Sequence, residues 1–313
     1  MCAATVQRAQ LVVDARNTVG ECPVWHSAEQ ALYWVDIAER TLYCHKPSNG
    51  STRSWVAPEM LACIAPGAGP QAWIAGAQTG VFALDTSDQQ LLGSTKIATV
   101  DHGMAGMRFN DGRCDRQGRF IAGTMLMDMA RAARVGCIYQ LQADGSLAKM
   151  LENFITPNGL AFSPDGRTMY LSDSHPTVRA VWTYDYDTEN GRASNARPFM
   201  DMGGFKGRPD GAAMDVDGCY WICGNDAGLV HRYTPRGELD FSVEVPAIKP
   251  SMCAFGGKDL RTLYITTIRP GGSSADDPSG GVFAIDLPDI QGMPEAHCSI
   301  APASRLSQHT HPA

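Results

Sequence analysis

Glu21, Asn110, Asn158 and Asp210 carry side-chain oxygens and recur at one place in a repeated sequence pattern. Two carboxylates with one or two amide carbonyls suit a hard divalent cation. So small a protein ligand set leaves positions open to water or substrate, as a catalytic metal requires. Taken singly, each of the four is better explained as a turn cap, because a polar residue beside a turn commonly closes a local hydrogen bond. Recurrence at repeat spacing favours the metal reading. The pattern is clearest from Thr156 to Asp173: a polar entry with Asn158, a short apolar strand, a Ser163-Pro164-Asp165-Gly166 turn, and a second strand at Met169 to Ser172. The Asp-Gly pair supplies the positive backbone dihedrals of a tight hairpin.

Six copies of this unit run along the chain. The slot position is filled in turn by Glu21, Ile64, Asn110, Asn158, Asp210 and Ser251, spaced 41 to 52 residues apart. That is the period of a four-stranded propeller blade. The expected fold is all-β: one six-bladed β-propeller domain over residues 1–313, with a polar tail at about 304–313. A strand near Ala9 to Val13 is expected to pair with the last blade and close the ring, which removes exposed edges. In a propeller the first strand of each blade lines the central channel, so slot residues distant in sequence converge on the axis. The Ser-Pro-Asp-Gly and Asp215-Val216-Asp217-Gly218 turns lack the full loop and terminal Glu of a calcium-binding EF-hand and read as hairpin turns.

Composition narrows the function classes. The formal net charge is −7 and no Lys/Arg-rich run exists, which argues against nucleic acid as a partner. No apolar run approaches the roughly 20 residues of a membrane span, and the first residues lack the basic start and apolar core of a secretion signal. A cytoplasmic protein without a membrane partner, monomeric or weakly dimeric, is expected. The ten cysteines are scattered without a Cys-x-x-Cys pair, which favours free buried thiols over a zinc site. His309 and His311 in the tail carry no stronger metal signal.

Gly20-Glu21-x-Pro23-x-Trp25, Arg108-Phe109-Asn110-Asp111-Gly112, Gly123-Thr124-Met125, Pro157-Asn158-Gly159-Leu160, Ser163-Pro164-Asp165-Gly166 and Pro209-Asp210-Gly211 follow one another in order over nearly the whole chain. Together they resemble the regucalcin/gluconolactonase/luciferin-regenerating-enzyme family. The resemblance implies a six-bladed propeller with one divalent cation in the channel: calcium, zinc, manganese, magnesium or ferrous iron. By position it makes Glu21, Asn158 and Asp210 the metal ligands, and Arg108 and Asn110 the substrate-contacting pair. Asp128 falls where relatives carry an acidic residue facing sugar hydroxyls, although its loop diverges. Cys22 stands where relatives usually have Gly, and either narrows the site or fills space.

The activity so implied is hydrolysis of a sugar lactone to its aldonic acid. The metal would polarise the carbonyl, and Asp210 is the candidate general base. Arg108 grips substrate oxygens or ties down its own loop, for instance through Asp111. Met125, Met127 and Met129, with Arg131 and Arg134, read as a mobile loop over the mouth or as packing. His26 is expected to point into packing, whereas His102 and His175 are placed to reach the rim. The rival readings are a hydrolase for aromatic lactones or phosphoesters, and a metal-binding or protein-interaction propeller without catalysis.

Overall fold

In the structure, a computed structural model that describes residues 7–300, six antiparallel sheets pack around one axis, as in a six-bladed β-propeller. Blade one comprises Gly20–His26, Ala31–Asp36, Thr41–Lys46 and Ser51–Val56, paired in that order from axis to rim. The innermost strands of the others are Leu61–Pro66, Met107–Cys114, Pro157–Phe162, Arg208–Met214 and Pro250–Gly256. Each inner strand touches the inner strands of the blades before and after it, and the sixth touches the first.

This layering follows from sequence. The first two strands of a blade are covered on both faces by neighbouring blades, so they read as apolar runs: Ala31–Asp36, Leu61–Pro66 and Tyr220–Asn225 are buried throughout. The outermost strands, such as Ser51–Val56 and Arg192–Pro198, lie on the rim and are largely exposed. Between blades the core is aromatic, with Trp34, Trp55, Trp73 and Trp221 fully buried. Tyr33 packs against Trp73 at 4.3 Å between ring centroids, and Trp34 stacks on Tyr43 at 5.0 Å.

The hairpin turns at the far face are held by their own aspartates. Asp115 accepts hydrogen bonds from the backbone N–H of Gln117 and Arg119, and Asp215 from those of Asp217 and Cys219. Gly118, Gly166 and Gly218 take the positive φ these turns require, at 85°, 72° and 78°.

At the N-terminus, Gln7–Arg8 runs parallel to the outer strand of blade five, Leu239–Glu244. The chain then crosses to blade six, where Gln10–Val13 lies antiparallel to Val282–Asp286 as its outermost strand. Among the described residues the one helical segment is a three-residue 3-10 turn, Met129–Arg131, and no helix is long and apolar enough to cross a membrane. The nine described cysteines are free thiols, all buried except the half-buried Cys137. The sequence-predicted tail at 304–313, with His309 and His311, lies outside the described residues.

Candidate active site

The slot residues lie on the innermost strands themselves, not in the loops before them. All six inner strands lose register with their partner near this point: after Glu21, Leu61, Phe109, Asn158, Pro209 and Pro250. A bulge of this kind twists the strand locally and re-aims a side chain out of the pleat. In five blades the break falls at the slot residue; in blade two it precedes Ile64, which pairs regularly with Ala75.

Their backbones are fixed from neighbouring strands. The carbonyl preceding each of the three sequence-predicted metal ligands accepts a side-chain hydrogen bond. Ser251 Oγ donates to Gly20 O ahead of Glu21, Asn110 Nδ2 to Pro157 O ahead of Asn158 (3.1 Å), and Ser172 Oγ to Pro209 O ahead of Asp210 (2.9 Å). Asp36 and Asp173, at the ends of second strands, bind the N–H groups entering two inner strands. Thr18 and Val19 donate to the first at 2.7 and 3.0 Å, and Ile155 and Thr156 to the second at 2.8 and 3.1 Å. Ser251 also meets Thr266 Oγ1 and is fully buried, and Ile64 is packed in the core, so these two slots serve the blade joints.

The four remaining slot side chains and Arg108 form one constellation. Asn110 Nδ2 donates to Asn158 Oδ1 at 2.8 Å, and Asn158 Nδ2 donates to Ser174 Oγ at 2.7 Å. This orients the Asn158 amide with its oxygen toward the axis. Arg108 Nη1 donates to Phe109 O (2.7 Å) and to Asn110 Oδ1 (2.8 Å). Arg108 thus ties down its own strand, as the alternative reading has it, though not through Asp111, whose Oδ2 accepts from Leu160 N at 2.8 Å. Asp210 Oδ2 accepts from Asn225 Nδ2 at 2.5 Å, and Asn225 Oδ1 in turn accepts from Arg208 Nη2 at 3.1 Å.

The electrostatics show two carboxylates held against their preference. Burial, then the charges of Asp210 and Asp111, push the Glu21 carboxyl well above the ordinary range. Burial lifts Asp210 to about 7, against the opposing pull of Arg208 and the Asn225 amide. Arg108 is drawn down to about 10 by burial, while Glu21 and Asp210 pull it back up. Desolvated carboxyls whose proton affinity is raised by burial and by neighbouring carboxylates are what a bound cation would relieve.

Donor chemistry agrees with that reading. Among the described residues no three His, Cys, Asp or Glu side chains gather as a metal cluster. A third oxygen would come from the Asn158 amide. Glu21, Asn158 and Asp210 thus fit a divalent cation with oxygen donors.

The remaining candidate residues lie as follows. Asp128 is exposed, immediately before the 3-10 turn; its carbonyl accepts from Arg131 N at 3.2 Å, and its side chain makes no hydrogen bond among the described residues. That turn is tethered to blade four, where His175 Nε2 donates to Met129 O at 3.0 Å and Nδ1 meets Thr177 Oγ1 at 2.8 Å. His175 is buried and committed to holding the loop. Met125 is a buried strand residue, whereas Met127 is exposed. His26 lies at the opposite end of its strand, among Tyr33, Trp73 and His297. His102 Nε2 meets Gln78 O at 2.8 Å, and its Nδ1 has no partner among the described residues.

Cys22 adopts φ 46°, the left-handed region that favours glycine. Its sulfur accepts from Ile64 N (3.2 Å) and lies 3.5 Å from Ile64 O, which joins blade one to blade two. Sequence reasoning missed Asn225 and Ser174, which orient Asp210 and Asn158. A signal existed: the second strand ends on a polar residue in four of six blades, at Asp36, Asp173, Asn225 and Thr267.

Comparison with known proteins identifies the family. Residues 19–269 match the family model described as SMP-30/Gluconolactonase/LRE-like region. The chain is 40% identical over 278 residues to 6-deoxy-6-sulfogluconolactonase of Pseudomonas putida, covering 87% of this chain and 92% of the relative. It is 36% identical over 281 residues to L-arabinolactonase of Azospirillum brasilense, covering 88% and 91%. The crystal structure of regucalcin from Agrobacterium tumefaciens, described as a calcium-binding protein, superposes with a TM-score of 0.86. It shares 27% identity, covering 95% of this chain and 99% of that one.

Proposed function

Because the chain belongs to the SMP-30/gluconolactonase/LRE-like family, we propose that it hydrolyses the ring ester of a sugar lactone, releasing the aldonic acid, at the Glu21–Asn158–Asp210 cluster. One observation carries this reading. A half-buried and a buried carboxylate from different blades, Glu21 and Asp210, lie close enough to act on each other electrostatically beside an oriented amide oxygen and a guanidinium, and both carboxyls are pushed upward in pKa. The names of the lactonase relatives support sugar lactones as the substrate class.

Glu21, Asn158 and Asp210 would hold a divalent cation. Calcium is first among the candidates, on the description of regucalcin. When bound, the cation supplies electrophilic polarisation of the lactone carbonyl. The chain's own groups do the rest. Arg108 has spent one guanidinium nitrogen on Phe109 O and Asn110 Oδ1. Its other N–H groups present a rigid fork to lactone oxygens. Asn110 keeps Asn158 turned correctly by donating to its oxygen.

Asp210 takes the proton of the attacking water. Its Oδ2 is pinned by Asn225 and its Oδ1 makes no hydrogen bond among the described residues, so one oxygen is available to the water. The water oxygen adds to the carbonyl carbon, the ring C–O bond breaks, and the proton passes to the departing ring oxygen. Asp128, on its exposed loop, would contact outlying sugar hydroxyls.

The test is acid release from a panel of aldonolactones, followed with a pH indicator, before and after chelation. Rates above the protein-free background on at least one lactone, lost on chelation, are expected. Background rates across the whole panel would remove the sugar-lactonase reading in favour of a non-catalytic propeller.

A further inference from the structure

In three blades the residue two positions ahead of the slot is cationic: Arg108 before Asn110, Arg208 before Asp210, and Lys249 before Ser251. Arg108 and Arg208 lie at the entering ends of their inner strands, ahead of the register break, and Lys249 immediately precedes the inner strand of blade six. Blades five and six bring two of them together. Arg208 Nε donates to Asp226 Oδ2 at 2.6 Å, and the Lys249 ammonium pairs with the other oxygen of the same carboxylate. Arg108 makes no ion pair among the described residues. At this rim two cations, Arg208 and Lys249, thus share the single carboxylate of Asp226, while Arg108 faces Glu21 and Asp210.

A salt-bridge staple between two blades needs one cation per carboxylate. Here a second is present, and both remain reachable, with side chains 20% exposed for Arg208 and 27% for Lys249. Surplus positive charge at a partly desolvated rim is a seat for an anion, because charge-assisted hydrogen bonds to Arg and Lys are strong there. Position along the substrate follows from the Arg208–Asn225–Asp210 relay. Arg208 lies two hydrogen bonds from the carboxylate at the reaction centre, a span of roughly 6 Å. That is comparable to the separation between the ring carbonyl and the terminal carbon of a six-carbon lactone.

We infer that Arg208 and Lys249 seat an anionic group, a sulfonate or a phosphate ester, on the end of the sugar lactone remote from the ring carbonyl. This specificity rests on the sugar-lactonase reading and adds a charge requirement to it. The seat binds only; the bonds made and broken remain those of ring hydrolysis.

The experiment compares kcat/KM for three lactones of one sugar: neutral, terminally sulfonated and terminally phosphorylated. The full chain is used with its cation bound, at low and at high ionic strength. The expected ratio of anionic to neutral kcat/KM is about 10 to 100 at low salt and shrinks as salt screens the rim. Whichever anion gives the larger ratio identifies the natural group. Lys249→Met should lower that ratio about tenfold, mainly through KM. Lys258→Met, the same charge change at the far end of blade six, should leave it in place.

A wild-type ratio near one, or a ratio unmoved by Lys249→Met, overturns the inference while leaving lactone hydrolysis intact. If no lactone is hydrolysed, calorimetry with a sugar 6-phosphate and the free sugar decides separately. Tighter binding of the phosphate, weakened by Lys249→Met, upholds the anion seat though the lactonase reading falls; equal binding removes both.

Discussion

Asp210→Asn replaces a carboxylate by a neutral group of the same shape. In metal-free protein it should stabilise the fold while abolishing function. Asp210 titrates at about 7 in the folded chain against 3.8 for the unperturbed group. A raised folded pKa means the native state holds its proton where the unfolded chain has released it. The stability this proton confers is fully present below pH 3.8 and is lost as pH rises through 7. At 1.36 kcal/mol per unit, ionisation of Asp210 costs about 1.5 kcal/mol at pH 5 and about 4 kcal/mol at pH 8.

The asparagine variant escapes that loss and still accepts the Asn225 hydrogen bond. Its advantage should therefore grow by about 2.5 kcal/mol between pH 5 and 8. With an unfolding entropy of about 2.1 cal/mol/K per residue, that is roughly 4 °C in Tm. Scanning calorimetry of both chelated proteins across this range gives the comparison. Saturating calcium should then raise the wild-type Tm at pH 8 and leave the variant nearly unchanged. If the two Tm curves run parallel from pH 5 to 8, the claim that Asp210 is ionised against its preference is wrong.

Three further outcomes follow from the geometry. Asn158→Ala removes the amide oxygen and leaves Asn110 Nδ2 without that partner, so cation affinity by calorimetry should drop at least tenfold, with activity falling in parallel. Arg108→Ala should raise KM with the cation retained, since its fork contacts substrate and not the ligand set; unchanged KM would assign Arg108 to structure alone. Cys22→Gly and Cys22→Ala both lose the thiol bridge to Ile64, but only glycine relieves the left-handed backbone. The glycine variant should be the more stable of the two by about 1 kcal/mol in denaturant unfolding.

The blade period, the Asp-x-x-Gly turns and the slot residues are legible in the sequence because each is local or periodic. Gly118 and Gly218 sit where their turns demand positive φ, and the apolar second strands announce two-sided burial. What escapes is what depends on partners in other blades or strands. Asn225 reads as a polar strand end until its amide is seen against Asp210, 15 residues earlier. The bulges leave no residue signature of their own, since Glu21-Cys22, Asn158-Gly159 and Pro209-Asp210 differ in chemistry yet all break register. Cys22 shows why a departure from a family pattern is hard to price in advance. Its thiol offsets backbone strain through a contact with blade two, 42 residues away. Arg208 and Lys249 lie on blades five and six, 41 residues apart, so their shared carboxylate at Asp226 is equally invisible to a linear reading.

Titration of calcium into the chelated protein, with bound metal and initial lactone-hydrolysis rate read on the same samples, bears most directly on the shared-cation site. Both signals should saturate together at one ion per chain in the wild type, and neither should rise for Asp210→Asn. Hydrolysis undiminished by chelation, or a variant that binds calcium as tightly as the wild type, would contradict a cation held jointly by Glu21, Asn158 and Asp210.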